Sequence, residues 1–302
     1  MINMITPGAL IYKLKTKFGH GLDTAYYRDL FRKKILDTAP ITRTDSKLAE
    51  VHTLTSSKDC LNTIWSLKSF YVFSEENYAL CIHDDGTLND QDKLEILKHF
   101  PNARLIERTM ADREIYQKLQ SYPSALKMRE NNPFSLKVFD FTYFSNTDKI
   151  LFIDSDILFF AKPTDLIERI NNSNYKLNTF NKDWNYGYSP DIEKIAKYIN
   201  FELIPYINTG LGLIHKISMS FEKLEHFLSI PGIQDHPYGG RAEQTLIALC
   251  SSEYGFEFLS SDYDVNIEKI TPTDSPCRHY VSPIRYLMYK EGLKRLEQRK
   301  FL

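Results

Sequence analysis

Cysteine is scarce in this chain and shows no pairing pattern. The 302 residues hold four, Cys60, Cys81, Cys250 and Cys277, with no Cys-x-x-Cys spacing. That spacing indicates neither a disulfide framework nor a structural zinc site, and the four are expected as buried, reduced thiols. Charge of either sign is not in excess: 38 Lys plus Arg against 39 Asp plus Glu leave a formal net charge of −1. No overall basic field exists to hold a nucleic-acid backbone, so a nucleic-acid partner is excluded from the expectations. Long hydrophobic runs are missing as well. Ile150-Leu-Phe-Ile153 and Ile157-Leu-Phe-Phe-Ala161 are bounded by charged or polar residues, far short of the roughly 20 apolar residues of a membrane helix. No integral membrane segment is expected. The N-terminus, Met1-Ile-Asn-Met-Ile-Thr-Pro-Gly8, lacks a basic region ahead of an apolar one, so the cytoplasm is the expected compartment, with a peripheral membrane position also open. Internal repeats and Gly/Ser-rich linkers are absent.

What the chain does have is a hydrophobic fraction of 42%, enough for a sizeable core, and an alternation of strand-like and helix-like segments. Val51-His-Thr-Leu-Thr55 alternates like a strand. Ser56 or Ser57 can cap the next stretch, where Leu61, Ile64 and Trp65 keep helical spacing. Tyr78-Ala-Leu-Cys-Ile82 reads as a second strand, followed by the turn-rich His83-Asp-Asp-Gly-Thr87 and a helix from Asp90 to Phe100 with Leu94, Leu97 and Phe100 on one face. After Pro123 and Pro133, the stretch Phe134 to Phe144 suits a largely buried helix. Lys149-Ile-Leu-Phe-Ile153 is then apolar at consecutive positions, as expected of a strand covered on both faces. The second half is less regular, with a strand over Ile207 to Ile214, helices at Phe221 to Leu228 and Glu243 to Cys250, and a charged helix from about Pro283 onward. The fold class is α/β, with a mostly parallel central sheet covered by helices. Residues 1–48 read as an appended segment ahead of one domain over 49–302.

Asp154-Ser155-Asp156 stands where the apolar strand ends, and open α/β sheets bind ligands beyond the carboxyl ends of their strands. Carboxylates one residue apart supply hard oxygen ligands to Mn²⁺ or Mg²⁺, and such an ion neutralises a diphosphate. The same pair also suits a helix cap or a solvated loop.

The stretch Lys149-Ile-Leu-Phe-Ile-Asp-Ser-Asp-Ile-Leu-Phe159, with Pro163 and Asp165-Leu166 behind it, resembles the metal-binding signature of GT-A glycosyltransferases. Ser66-Leu-Lys-Ser69, Ile82-His-Asp-Asp-Gly86, Asn208-Thr-Gly-Leu-Gly212 and Glu243-Gln244 follow an order similar to that of the family of glycogenin and the lipopolysaccharide galactosyltransferases. The resemblance covers roughly Glu50 to Tyr280. It implies a Rossmann-like GT-A nucleotide-diphospho-sugar transferase fold and a metal held by Asp154, Asp156 and His279. It further implies a donor site including Thr53, Thr55, Asp84, Lys137, Ser155, Asn208 and Gly210, with Glu243 and Gln244 facing the donor sugar and the reacting carbon. The family's His-x-x-Gly-x-x-Lys-Pro-Trp continuation is absent, the run here being His279-Tyr-Val-Ser-Pro-Ile-Arg-Tyr286. Arg285 and Lys290 can supply positive charge to the leaving diphosphate instead.

Each of these residues also has an ordinary reading: Lys137 as a solvated helix residue, His279 bonded in a strand or turn, Asn208-Thr209-Gly210 as a turn between strands, and Glu243 at a helix start favoured by the dipole. The expected activity is metal-dependent transfer of a sugar from a nucleotide-diphosphate donor, UDP-linked in the first instance, to a hydroxyl on a glycan, lipid or protein. A nucleotide-sugar-binding module without turnover is the alternative. A phosphatase-like hydrolase ranks lower, because His83 stands where that motif needs its nucleophilic Asp. Whether the sugar is inverted or retained stays open at this point.

Overall fold

Parallel strands need crossovers, and helices supply them through the first half of the chain. The computed structural model describes residues 18–270 and 275–301. Helix α1 (Leu22–Asp29) and a 3-10 stretch (Phe31–Asp37) precede β1 (Ser46–Thr55), α2 (Cys60–Ser74), β2 (Tyr78–Asp84), α3 (Asp90–His99) and β3 (Arg104–Ile106). Three helices follow, α4 (Arg108–Leu119), α5 (Pro123–Asn131) and α6 (Ser135–Phe144), and lead into β4 (Lys149–Ile153), β5 (Ile157–Phe159) and α7 (Thr164–Asn171). The second half contains β6 (Asn178–Lys182), the single turn α8 (Ile192–Ile195), β7 (Ile207–His215), α9 (Phe221–Leu228), α10 (Gly240–Tyr254), β8 (Phe256–Phe258) and β9 (Cys277–His279). A helical stretch over 285–298 ends it, with a wide turn at Met288–Leu293.

Seven strands form one sheet in the order β3-β2-β1-β4-β7-β6-β8. β3, β2, β1 and β4 run parallel; β7 runs antiparallel to both neighbours, and β6 and β8 are parallel. The sheet is thus mostly parallel, with its reversal between β4 and β7. β5 and β9 make a separate antiparallel ribbon beside that reversal.

The central strand shows why consecutive apolar residues were needed. Leu151 and Ile153 point into one core with Val51, Ile64, Trp65 and Phe70. Ile150 and Phe152 point the other way, onto Phe139, Phe141, Leu246 and Leu249. Each such side chain, once buried, stabilises the fold by about 1.5–3 kcal/mol. The described part of the N-terminal segment joins the first core: Phe31 and Ile35 are fully buried there, and the Trp65 indole N–H donates to Arg32 O at 2.8 Å. β1 begins at Ser46, five residues before its apolar alternation.

Two local readings are corrected. Helix α3 buries Ile96, His99 and Phe100, whereas Leu94 and Leu97 lie exposed. The helix turns its short Ile96 edge, not the leucine stripe, toward the sheet. Ahead of α2 the N-cap is Asp59, not a serine; Ser56 Oγ instead accepts from the Asp59 N–H at 3.2 Å. All four cysteines are buried and free, and no helix among the described residues is long and apolar enough to cross a membrane.

Lys149, the one charged residue of the central strand, closes the C-terminus of α7. Its buried Nζ donates to Arg169 O at 3.2 Å, Ile170 O at 2.7 Å and Asn172 O at 2.7 Å, where a cation also meets the negative end of the helix dipole. Lys149→Met keeps the apolar stem and orphans the three carbonyls, so it should lower the unfolding free energy by about 1–3 kcal/mol in a urea titration. An unchanged midpoint would show that the carbonyls find water.

Candidate functional site

Asp154 follows the last residue of β4, and its N–H donates to Gly210 O on β7 at 2.9 Å. The chain then turns within two residues into β5, with Ile157 N–H donating back to Asp154 O at 3.2 Å. β5 pairs with β9 so that Ile157 faces His279, and Tyr280 N–H donates to Asp156 O at 2.9 Å. This ribbon brings a residue from near the C-terminus onto the carboxylate motif: His279 Nε2 lies 3.1 Å from Asp156 Oδ1. Asp154, Asp156 and His279 offer ligand atoms that all lie within 4.8 Å of one another.

The other imidazole nitrogen is fixed by its partner. Asn208 Nδ2 donates to Asp183 Oδ2 at 3.0 Å, so Asn208 Oδ1 is an acceptor, and it receives Gly210 N–H at 3.0 Å. His279 Nδ1, 2.9 Å away, must then be the donor, which leaves Nε2 to face the carboxylates. Gly210 is required by contact: a Cβ there would stand 2.2 Å from His279 Cε1. Asn208-Thr209-Gly210 lies inside β7 and forms no turn, neither a ligand-binding one nor an ordinary one between strands.

A buried lysine and a partly exposed arginine hold the acids. Lys137, from α6, donates to Asp154 Oδ1 at 2.9 Å and Thr209 O at 3.0 Å, and lies 3.5 Å from Glu243 Oε1. Burial pushes its pKa down, but Asp154 and Glu243 outweigh burial and raise it, so it is charged. Arg285 bridges Asp156 Oδ2 and Asp59 Oδ1 at 2.7 Å each. Burial raises Asp156, yet His279 and Arg285 pull it below its ordinary value. His279 is lowered by burial and raised on balance by Asp156. Glu243 moves the other way: burial raises its pKa, and Lys137 only partly compensates.

These groups line a cleft of about 600 Å³ across the carboxyl ends of β1 and β4 and the amino end of the antiparallel β7. Asp59, Asp85, Asp154, Asp156, Asp183 and Glu243 face it against Lys137, Arg285 and His279, a balance that favours a divalent cation. Two carboxylates and an imidazole nitrogen form a hard-to-borderline donor set that fits Mn²⁺ or Mg²⁺.

Of the sequence-derived candidates, Thr55, Lys137, Ser155, Asn208, Gly210, Glu243 and Gln244 line this cleft with the three metal candidates. Thr53 and Asp84 do not. Thr53 is buried within β1, and the Asp84 carboxylate is spent on the N–H groups of Gly86 and Leu88, at 2.7 and 3.2 Å, in the turn after β2. Asp85 reaches the cleft in its place. Lys290 lines a separate surface cavity among the C-terminal helices, whereas Arg285 is in the site. Sequence reasoning missed Asp183, whose Oδ2 accepts from both Asn208 Nδ2 and Gln244 Nε2 at 3.0 Å. It also missed Asp59, Trp184 and Tyr238 at the cleft. An Asp directly after a short strand was the available signal for Asp183, but β6 is too polar to be recognised as a strand.

The sequence matches no protein-family model and no curated protein. The structure does match solved structures. The galactosyltransferase LgtC in complex with donor and acceptor sugar analogues superposes with a TM-score of 0.53 at 13% identity, over 84% of this chain and 96% of that one. The mannosyltransferase Ktr4p from S. cerevisiae gives 0.51 at 13% identity, over 99% and 92%. Core-mannan synthase A from Aspergillus fumigatus, in an Mn/GDP form, gives 0.50 at 11% identity, over 83% and 87%. At these identities the likeness is one of fold, and the fold of this chain is that of the GT-A glycosyltransferases.

Proposed function

We propose that the protein is a metal-dependent glycosyltransferase that moves a sugar from a nucleotide-diphosphate donor, UDP-linked in the first instance, to a hydroxyl acceptor. The observation that carries this reading is the convergence of Asp154, Asp156 and His279 at the end of the central strand, with the buried Lys137 on one carboxylate and the partly exposed Arg285 on the other.

Asp154, Asp156 and His279 would hold Mn²⁺ or Mg²⁺, which when bound offsets the charge of the leaving diphosphate. Lys137 pairs with Asp154 and Arg285 with Asp156, and both cations lie in the cleft where a diphosphate meets further positive charge. Thr55 and Asp85, at the ends of β1 and β2, border the half of the cleft suited to the nucleoside. Gln244 and Asn208, both oriented by Asp183, present amides of defined direction to the hydroxyls of a sugar. Glu243, raised by burial and next to Lys137, faces the same space with a proton-accepting or charge-stabilising carboxyl. Trp184 and Tyr238, 44% and 55% exposed, stand at the mouth as surfaces on which an acceptor sugar can stack.

Calorimetry with the full chain should show UDP binding in the presence of Mn²⁺ and little without it; GDP run in parallel assigns the base. Binding of neither nucleotide in Mn²⁺ would overturn the reading. With the metal present, slow hydrolysis of a nucleotide sugar is expected, and its absence despite tight binding would favour a module without turnover. Asp154→Ala should reduce that hydrolysis by roughly 10²–10³-fold with an unchanged circular-dichroism spectrum; full activity would remove Asp154 from the metal site.

Gly210→Ala tests the site without deleting a ligand. The added methyl displaces the His279 ring, so Mn²⁺ affinity should fall by about 10–100-fold. Unaltered Mn²⁺ affinity in a folded variant would exclude His279 as a ligand.

A further inference from the structure

The parallel register of β1 and β2 places His52 beside Cys81 and Leu54 beside His83. Alternate residues of a strand share a face, so His52, Cys81 and His83 lie together on the side of the sheet covered by α6. His52 Nδ1 is 2.9 Å from His83 Nε2, and Cys81 Sγ is 3.4 Å from the same nitrogen. The three ligand atoms all fall within 4.8 Å of one another, and all three residues are buried. Phe141 seals the group, its ring centroid 5.3 Å from that of His52 and 4.7 Å from that of His83. None of the three lines the cleft.

The surroundings are those of a cation site. Behind His52, Nε2 lies 3.2 Å from Glu50 Oε2. Glu50 is itself fixed by Asn146 N–H at 2.8 Å and by Arg104 Nη2 at 2.7 Å. With Nε2–H donated to Glu50, His52 turns the lone pair of Nδ1 inward, the arrangement in which a carboxylate orients a metal-bound imidazole. A proton satisfies the inward side poorly. Both His52 Nδ1 and Cys81 Sγ face one nitrogen, His83 Nε2, whose single hydrogen cannot point along both directions. An ion between the three can.

We propose that His52, Cys81 and His83 form a buried structural site for a thiophilic d¹⁰ cation, Zn²⁺ or Cu⁺, distinct from the oxygen-rich group at Asp154, Asp156 and His279. On loading, the Cys81 S–H bond breaks and its proton passes to solvent; sulfur and the two imidazole nitrogens each give an electron pair to the ion, with no change of oxidation state. Zn–N bonds of ~2.0–2.1 Å and Zn–S bonds of ~2.3 Å set the neighbouring donors ~3.3–3.7 Å apart. The 2.9 Å spacing of the two imidazole nitrogens therefore widens by a few tenths of an ångström, and the 3.4 Å spacing of Cys81 Sγ and His83 Nε2 already lies in that range. Thiolate and imidazole select soft ions and reject Mg²⁺, so the two groups would sort different metals. The bound ion would cross-link β1 and β2 just below the ends that carry Thr55 and Asp85.

The test uses the full chain, without a histidine tag and purified without chelator, from medium supplied with zinc and copper. Mass spectrometric metal analysis should find about one equivalent of zinc or copper per chain, retained in an Asp154→Ala/Asp156→Ala variant and lost in Cys81→Ala. X-ray absorption at the metal edge then tells Zn²⁺ from Cu⁺. Loading the chelator-stripped protein with Co²⁺ should give a near-ultraviolet thiolate-to-cobalt band in the wild type and none in Cys81→Ala. If Cys81→Ala does not fold, the stripped Asp154→Ala/Asp156→Ala protein decides: added Zn²⁺ or Cu⁺ should raise its Tm by ~5 °C or more. Background metal in the wild type, no thiolate band, or identical melting with and without the ion would each overturn the site and leave a hydrogen-bonded His–His–Cys cluster.

Discussion

The site rests on the neutralisation of Asp156. A carboxylate only 6% exposed loses most of its hydration, and its charge survives because an imidazole and a guanidinium replace the water. Neither partner is local. His279 arrives on β9, Arg285 opens the C-terminal helical stretch, and Asp59, which holds the far side of that guanidinium, stands at the head of α2. Burying one acid thus ties the first crossover helix, the end of the central strand and the C-terminal region together. Lys137 does the same for Asp154, joining α6, β7 and Glu243 on α10.

The fold positions these groups through one irregularity. A fully parallel sheet would carry β7 in the direction of β4. Here β7 runs antiparallel, so its N-terminal residues, Asn208 to Gly210, lie beside the C-terminal end of β4. Backbone atoms of β7 thereby receive Asp154 N–H and Lys137 Nζ, and the side chain of Asn208 reaches His279. The small β5–β9 ribbon closes the other side.

Legibility followed the physics of burial. Lys149 to Ile153 was readable because a strand covered on both faces must be apolar at every position, and the helix over 135–144 because its buried side dominates its composition. Asp154 and Asp156 stood out because they end that strand. β6 was hidden by Asn178, Thr179 and Asn181, which satisfy their polarity inside the protein: Asn178 on Ser218 and Ser251, Thr179 on Glu257 O, and Asn181 on Tyr263 O. Missing β6 meant missing Asp183. Leu94 and Leu97 misled for the opposite reason, being apolar and exposed. His279 emerged from resemblance, since nothing in its own surroundings marks a pairing with a strand more than a hundred residues earlier. Cys81, His52 and His83 were silent as a group for a related reason: their proximity is a property of strand register, and isolated Cys and His have no spacing to read.

Asp183 gives the cleft a property that its separate contacts do not express. Its single Oδ2 accepts from Gln244 and from Asn208, Asn208 accepts from His279, and His279 meets Asp156. The Gln244 amide and the His279 imidazole are therefore members of one hydrogen-bond relay, with donor and acceptor directions fixed along its length. A hydroxyl that draws Gln244 away from Asp183 leaves that oxygen to Asn208 alone, and the change reaches the nitrogen that faces the carboxylates. A change in hydrogen bonding at one end of the cleft would thus be carried to the other end through side chains alone, with no movement of the backbone between them.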